Sequence, residues 1–469
     1  MGDPGQLKKI LTNIVCIALL GHAGLSHSQQ SPDHEEPPEL ANEESTEDIS
    51  EESTEESTEE ISTPKALQFG IEVTENLSRE SSWDDPQMDL LESDITFSAE
   101  SQLSPYTRLL LTLEISDEED SEVSYELGET YVNWSNVAIV ADVDIFTEWT
   151  FGRQDYVSAE GWLVDDTLDL ISFSLDSETF AASFAYGQEV LNELGGFPVE
   201  AEEEDVFRIY SSLSTQWRDG QYLALNYVSD QSTTRDVGDQ VLAENEDDED
   251  ANLTWIGLGL NGSVGADEPY LDYWFNYAVV RGDTVSYDLV DNDTGFTVED
   301  IEELQVDAWG VDMGLTLFTN FPARPQFTIA FASSSRDTDD EDGIENNFIQ
   351  TGLHSNNYGS EFDPDLTNLD IAMIGIGIPV FNEDSMIELS YYEYQLGTSA
   401  GDVSGSLPDF ELSGLSKDFG EAVDFTLPLP NLGPVTTSFS ASMFRAGEAF
   451  LDLQGEKSYS IDLDISFSY

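Results

Sequence analysis

Histidine and cysteine, which carry much of enzyme chemistry, are scarce in this chain. Beyond the N-terminal segment the histidines are His34 and His354. A serine hydrolase would have to use His354 as its base, and no recognisable nucleophile motif surrounds that residue. The only cysteine, Cys16, lies in the N-terminal segment, so thiol catalysis and cysteine-based zinc sites are excluded from the rest. We therefore expect a protein that is not an enzyme.

Four aspartates directly precede Gly343: Asp337, Asp339, Asp340 and Asp342. Carboxylate oxygens at this density are ligands that Ca²⁺ prefers. The spacing departs from the EF-hand loop, because Thr338 takes the first ligand position and Ile349 takes the place of the closing glutamate. We interpret the run as a solvated acidic loop, with Ca²⁺ binding as the alternative, and expect no other cofactor.

Basic side chains are rare against a large acidic excess. The chain has 97 Asp and Glu against 15 Lys and Arg, a net charge of -82. Nucleic acid is excluded as a partner, because affinity for phosphates depends on Lys and Arg. The acidity is explained either by adaptation to a salty medium or by a field that attracts cations. The spread of acids over the whole chain favours the first explanation.

Six polar residues are candidates for contact with a solute: Arg108, Arg153, Gln154, Arg208, Arg281 and Arg324. Arg108 and Arg208 fall on the polar side of alternating segments. There they either hold an anionic or hydroxyl-rich solute or pair with neighbouring acids. Arg153 shares the parity of the apolar Phe151, so it reaches the polar side only if Gly152 shifts the alternation or if the strand ends there.

The elements that position these residues are segments in which apolar and polar residues alternate. Examples are residues 107–115, 180–186, 271–279 and 435–443. A period of two predicts strands with one apolar and one polar face. After the N-terminus no uninterrupted apolar stretch is long enough for a spanning helix, although 25 Phe, 18 Tyr and 8 Trp are present. A transmembrane antiparallel β-barrel satisfies both observations, since its lumen-facing residues are polar.

The C-terminal segment shows the clearest alternation. Counting back from Tyr469, every second residue to Tyr459 is apolar, and every intervening residue is Ser or Asp. This pattern resembles the closing strand of outer-membrane proteins, whose terminal aromatic residue is recognised by the barrel-assembly machinery. We expect Tyr469 to have that role.

Composition divides the chain into three parts. Residues 1–28 carry Lys8 and Lys9, a short apolar core and a small-residue cleavage site, and are predicted to be a signal peptide. Residues 29–65 form an acidic Glu/Ser/Thr tail that is predicted to be disordered. Residues 66–469 form the barrel. At about 22 residues per strand, turns included, we expect about 18 strands.

Tryptophans fall near the predicted strand ends: Trp134, Trp149, Trp162, Trp217, Trp255 and Trp309. We interpret them as girdles at the membrane interfaces, with platforms for sugars inside a pore as the alternative.

An ordered set of segments resembles the alginate export family of outer-membrane porins. The set comprises residues 126–134, residues 151–154 with the sequence Phe-Gly-Arg-Gln, residues 166–176, residues 324–334 with the acidic run to Gly343, then Asn347-Phe348 and His354. The resemblance implies a monomeric 18-stranded barrel with a substrate-sized lumen and no catalysis, and it supports Arg153 as a lumenal residue. The family is expected to line its pore with Arg and Lys, whereas Asp155 stands here where a second base is expected.

These observations predict an outer-membrane porin of the alginate-export type. It would be a passive diffusion channel for small hydrophilic solutes, ions or saccharides, in the outer membrane of a Gram-negative bacterium from a saline environment. The acidity predicts a preference for cations at low salt and argues against alginate itself. The alternative is a structural or adhesive barrel whose acidic loops carry the function and whose lumen is plugged.

Overall fold

The computed structural model describes residues 67–81, 92–117, 123–140, 143–158, 161–188, 191, 206–232, 249–265, 270–292, 295–338, 343–354, 358–381, 385–399, 403, 412–451 and 453–468. The predicted signal peptide and acidic tail lie outside these residues, as does Tyr469. Across the described ranges, no helix has the length and hydropathy required to cross a lipid bilayer.

Alternating residues form strands along the whole described chain. The strands are β1 Gln68–Ser81, β2 Glu92–Ser104, β3 Thr107–Asp117, β4 Ser124–Val140, β5 Val143–Val157, β6 Asp165–Asp176, β7 Phe180–Gly187, β8 Phe207–Arg218, β9 Gln221–Gln231, β10 Glu249–Val264, β11 Leu271–Asn292, β12 Gly295–Phe318, β13 Gln326–Ser334, β14 Ile344–Glu345, β15 Leu369–Pro379, β16 Met386–Leu396, β17 Asp418–Pro428, β18 Val435–Ala446 and β19 Lys457–Ser468. The four example segments all lie within these strands, as predicted.

Eighteen of these strands form one closed antiparallel barrel. Each pairs with the next along the chain, β13 pairs with β15, and β1 closes the ring against β19, with Val73 opposite Phe467. The short β14 lies outside the ring and pairs in parallel with β12. The predicted fold class and strand number are confirmed.

The two faces of the wall differ as the alternation predicts. Phe327, Ile329 and Phe331 of β13 are exposed on the outer face, while the alternate residues Ala330 and Ala332 are buried inside. On β19, Ile461 is exposed and lies opposite Ala441, while Asp462 lies opposite Ser440. The outer face therefore presents the continuous apolar surface that a bilayer requires, and the polar residues turn inward.

The two ends of the barrel differ in the length of their connections. The turns after β2, β4, β6 and β8 are tight, as at residues 105–106 and 219–220. At the other end β13 is joined to β15 through residues 335–368, and β16 is joined to β17 through residues 397–417. The buried apolar residues cluster inside the barrel near this end, and they include Trp162, Val164, Phe348, Phe362 and Phe450.

Candidate functional site

Part of the longest connection folds into the barrel and packs against its wall. We call residues 343–354 and 358–368 the inner loop. Phe348 and Phe362 are completely buried there. Phe348 stacks on Trp162, with ring centroids 6.1 Å apart, and lies against Gly310, where a Cβ atom would come within 2.8 Å of the Phe348 ring.

Phe362 sits in a cage of aromatic rings from three strands. Its centroid lies 5.4 Å from that of Tyr394, 4.9 Å from that of Phe419 and 5.4 Å from that of Phe444. Buried aromatic pairs in tilted or offset arrangements stabilise a contact beyond their area of burial. The cage therefore fixes this part of the inner loop against β16, β17 and β18.

Polar contacts attach the inner loop to other parts of the wall. Trp255 Nε1 on β10 donates to Ile349 O at 2.8 Å, and Tyr358 donates its hydroxyl hydrogen to Asp312 on β12. On the far side, Ser360 N donates to Asp424 Oδ2 on β17 at 3.0 Å. Because the attachments reach around the barrel from β10 to β17, the inner loop narrows the lumen at the end with long connections.

Glu361 is the anionic anchor of the inner loop. Ser442 of β18 donates to its Oε2 at 3.3 Å, and Ser458 of β19 donates to its Oε1. Ser442 therefore faces inward, and so do the residues two apart from it on the same strand. Asp462 and Asp464 accept hydrogen bonds from Ser440 and Ser438 at 3.2 Å and 3.0 Å, so both carboxylates lie on the lumenal face.

His354 is the titratable base of the inner loop. Its Nε2 lies 3.4 Å from Asp365 Oδ1, and its side chain is about nine-tenths buried. Burial lowers the pKa of His354, and the carboxylates of Asp365 and Asp363 oppose that shift. In the part of the chain that the structure describes, Nδ1 has no hydrogen-bond partner and no serine hydroxyl bonds to the ring.

Arg108 lines a polar recess in the lumenal wall near the tight turns. The recess has a volume of about 330 Å³ and is formed by β2 to β5. It is lined by Gln102, Tyr106, Arg108, Glu129, Tyr131, Asn133, Ser135, Glu148, Thr150, Gln154 and Asp155. Arg108 Nε lies 3.0 Å from Glu100 Oε1, and its guanidinium stands over the Tyr131 ring at 5.9 Å. Arg108 therefore both faces the lumen and pairs with an acid.

Arg153 is turned away from the lipid-facing side of Phe151. Gly152 before it has a φ of 127°. The pairing of β5 with β6 continues past Arg153 without a register shift, whereas the pairing with β4 ends at Thr130 opposite Arg153, where β4 shifts register against β3. Arg153 is 8% exposed, with Nη2 at 3.0 Å from Glu126 Oε1 and Nη1 at 3.9 Å from Asp169 Oδ1. The backbone conformation of Gly152 and the irregular pairing of β4 accompany the turn of Arg153 toward these carboxylates.

Gln154 is buried beside Arg153 and borders the recess. Its Nε2 donates to Gly152 O and to Leu170 O, both at 3.1 Å, and its Oε1 accepts from Ser172 Oγ at 2.6 Å. The amide is thus held in the wall by three bonds, so it shapes the recess from behind.

Arg208 is buried on the inward parity of β8. Its Nε lies 3.1 Å from Asp230 Oδ2 of β9. Of the two roles considered for Arg108 and Arg208, the structure shows the pairing with acids for both.

Arg281 and Arg324 lie outside the lumen, and the prediction that they line the pore is wrong. Arg281 follows Tyr277 and Val279 on the outward parity of β11, and its side chain is 72% exposed beside Asp307. Arg324 is exposed in the turn between β12 and β13, with a φ of 42°. Strict alternation along β11 would have assigned Arg281 to the outer face.

The acidic run before Gly343 is described only in part. Asp337 accepts a hydrogen bond from Asn346 N at 3.3 Å, while Asp339, Asp340 and Asp342 lie outside the described residues. Within the described ranges, no three acidic, histidine or cysteine side chains are grouped as metal ligands. Ca²⁺ binding here stays a prediction.

The six tryptophans separate into two groups. Trp134, Trp149, Trp217 and Trp309 are exposed, as an interfacial girdle requires, whereas Trp162 and Trp255 are buried, which contradicts their assignment to a girdle. Both buried rings belong to the lumenal core with the inner loop. The parity of Trp255 is the signal in the sequence, because it shares a face with Gly257 and Gly259 rather than with Ile256 and Leu258.

Solved outer-membrane proteins share this architecture. The chain is similar to Pseudomonas aeruginosa OccK2 (OpdF) in complex with glucuronate, with a TM-score of 0.53 and 10% identity over 86% of this chain and 97% of that chain. It is similar to Acinetobacter baumannii OccAB2, with a TM-score of 0.51 and 10% identity over 86% and 98% of the two chains. Pseudomonas aeruginosa OccK11 (OpdR) gives a TM-score of 0.51 at 10% identity over 86% and 95%. At such identities the likeness shows the fold alone.

A family model agrees with the fold. Among curated proteins no sequence matches the chain. The model for alginate export matches residues 124–462, which include the Arg153 strand, the inner loop and most of the ring. With its closed barrel, lipid-facing outer surface and polar lumen, the chain belongs to the alginate export family of outer-membrane porins.

Proposed function

We propose that this porin is a passive channel for small hydrophilic solutes that prefers cations to anions. The observation that carries the proposal is the charge of the lumenal face. Asp462, Asp464 and Glu72 lie on the inner side of β19 and β1, where they accept hydrogen bonds from serine hydroxyls and, among the described residues, pair with no base. Acidic side chains without basic partners along a channel wall favour the entry of cations.

The lumenal arginines do not offset this field. Arg108, Arg153 and Arg208 each have a carboxylate oxygen within 3.1 Å. Pairing with a carboxylate reduces the net positive charge that each guanidinium presents to a passing solute. A polyuronate such as alginate would meet repulsion on entering this lumen, so we infer that the solute differs from the family's polymer.

Reversal potentials in planar bilayers test the proposal. Purified protein under a KCl gradient at low salt should give a potential of the sign expected for K⁺ selectivity. The preference should weaken as ionic strength rises, since the Debye length falls from about 30 Å at 0.01 M to about 3 Å at 1 M. Anion selectivity at low salt would contradict the proposal, as would the absence of conductance steps.

A structural or adhesive barrel is the second candidate. The observation in its favour is the filling of one end of the lumen by the inner loop and its aromatic cage. A structural or adhesive function requires that the reconstituted protein conduct no ions. It also requires that deletion of the protein from cells abolish their attachment to surfaces. Conductance steps in a protein that leaves attachment unchanged when deleted would exclude it.

Three further properties complete the proposal. The short turns face the periplasm and the long connections face the medium, as is usual in such barrels. The barrel acts as a monomer, and Tyr469 is recognised by the assembly machinery. The acidic surface is an adaptation to a saline medium, so thermal unfolding of the detergent-solubilised protein should shift upward between 0.1 M and 2 M KCl.

A further inference from the structure

We propose that the Arg108 recess is a binding site for a small zwitterionic solute that carries an ammonium and a carboxylate group. The inference rests on the proposed channel function and specifies which solute the wall selects. Its basis is the presence of one arginine and three carboxylates in the lining of a single lumenal cavity of about 330 Å³. That volume is at the small end of pockets that hold organic ligands.

Arg108 offers a guanidinium to an anion in the recess. Arg108 uses Nε for Glu100, and among the described residues its two Nη atoms have no partner. The side chain is 42% exposed to the lumen and is supported from below by the Tyr131 ring. Asn133 stands next to it on β4 and donates to Thr150 Oγ1 at 3.1 Å. A carboxylate is the group that fits an arginine fork with free terminal nitrogens.

The recess also offers carboxylates to a cation. Arg108 lies opposite Asn133, and Asn133 lies opposite Thr150, so Glu148 is on one side of Arg108 along the strands while Glu129 and Asp155 are on the other. No Lys or Arg nitrogen in the described part of the chain pairs with any of the three acids. Asp155 accepts a hydrogen bond from Thr167 Oγ1 at 2.6 Å. Unpaired carboxylates around a small cavity favour an ammonium group, which donates hydrogen bonds in three directions.

The spacing of the strands separates the guanidinium from the carboxylates. Arg108 lies on β3, Glu129 lies on the adjacent β4, and Glu148 and Asp155 lie on β5, and adjacent strands are about 4.8 Å apart. A solute whose two charges are separated by a short chain matches this arrangement. A purely anionic solute would meet the three acids, and a purely cationic solute would leave the terminal nitrogens of Arg108 without an acceptor.

Current block in planar bilayers tests the inference with three probes of nearly equal size. β-Alanine has both charges, 3-aminopropan-1-ol has only the ammonium, and butyrate has only the carboxylate. With wild-type channels in KCl we expect β-alanine to block at the lowest concentration. Equal block by 3-aminopropan-1-ol and β-alanine would overturn the inference, and so would stronger block by glucose, which would indicate a site for hydroxyl groups. A wild-type protein without channels would instead overturn the proposed function.

Two variants test which charged side chain of the recess binds which group of the solute. Arg108→Gln should weaken block by β-alanine about tenfold, as expected for the loss of one charge-assisted interaction, and leave 3-aminopropan-1-ol unchanged. Glu148→Gln should weaken block by both amines. Arg281→Gln, on the outer face, is the matched control and should change neither. If Arg108→Gln leaves the ratio of β-alanine to 3-aminopropan-1-ol block unchanged while its channels keep wild-type conductance, the inference is wrong.

Discussion

Phe362 of the inner loop stacks on Phe419 of β17, with ring centroids 4.9 Å apart and ring planes inclined by 28°. Both side chains are completely buried, although one belongs to a long connection and the other to the wall. The contact joins the segment that narrows the lumen to the barrel itself. Its strength decides how firmly the constriction is held.

Replacing Phe362 by alanine should loosen the constriction. Truncation of a buried phenylalanine costs about 3–5 kcal/mol, and here that cost falls on the attachment of the inner loop rather than on the strands. We expect larger single-channel conductance with more frequent current fluctuations. Phe327→Ala removes the same group from the outer face and should leave conductance unchanged. Unaltered conductance in the Phe362 variant would show that the loop does not limit the flow of ions.

Glu361→Ala should release the same segment at another point. The variant loses the acceptor for Ser442 and Ser458, and each hydrogen bond to a charged acceptor contributes about 1.5–3 kcal/mol. Single-channel records should show brief openings to a larger conductance. Glu361→Gln keeps one acceptor oxygen and should have a smaller effect. Identical records for the two variants and the wild type would contradict the role of Glu361 as an anchor.

The attachment of the inner loop should weaken in acid through His354. Burial holds the pKa of His354 below its usual value of about 6.5, so the neutral ring is favoured in the packed loop. The released loop binds more protons than the packed loop once the pH falls below about 6.5. The packed state therefore loses stability as the pH falls from about 6.5 through the lowered pKa of His354. Above about pH 6.5 the stability of the packed state does not depend on His354.

Channel fluctuations recorded between pH 7.5 and pH 5 measure this effect. They should increase toward pH 5 in the wild type. In His354→Gln, which cannot be protonated, the additional acid-induced fluctuations should be absent. If both proteins respond alike, carboxylates elsewhere in the lumen are responsible instead.

Gly152→Ala should destabilise the barrel and displace Arg153. Gly152 has a φ of 127°, and a Cβ atom there would come within 2.2 Å of Thr130 O. The strained backbone alone costs about 1–3 kcal/mol, and the contact with a main-chain oxygen adds to it. The free energy of unfolding from lipid vesicles in urea measures the loss. Gly433→Ala is the control, because its φ is 69° but no atom lies within 4 Å of the added Cβ. Equal losses of unfolding free energy in both variants would show that the contact of the added Cβ atom with Thr130 O has no effect on stability.

The wall of the barrel could be predicted from the sequence because alternation is a local property. The polar and apolar residues of β19 lie on opposite faces as the period of two requires, and the same holds for β3, β7 and β18. The segments that resemble the family also lie within the residues that the family model matches. Strand number followed from the length of chain that one strand and its turn consume.

The interior could not be predicted because its contacts join distant parts of the chain. Phe348 and Phe362 stand in a polar stretch with no periodicity, and their partners Trp162 and Phe419 are far away in sequence. Arg153 was difficult for a different reason, since the backbone angle of one glycine reverses the side that parity assigns. Arg324 was assigned to the pore because basic residues are rare in this chain, but it lies in the turn between β12 and β13, and its rarity carried no information about its position.

The pairing of Val73 with Phe467 has a consequence for biogenesis. One hydrogen-bonding edge of β1 stays uncovered until β19 is present, because β19 is the strand that pairs with that edge. Until translation and export are complete, the half-built sheet keeps two open margins that any other extended chain could join. Insertion into the bilayer is thus tied to delivery of the whole polypeptide, and a copy cut short before its last strand would be a candidate for degradation rather than a smaller pore.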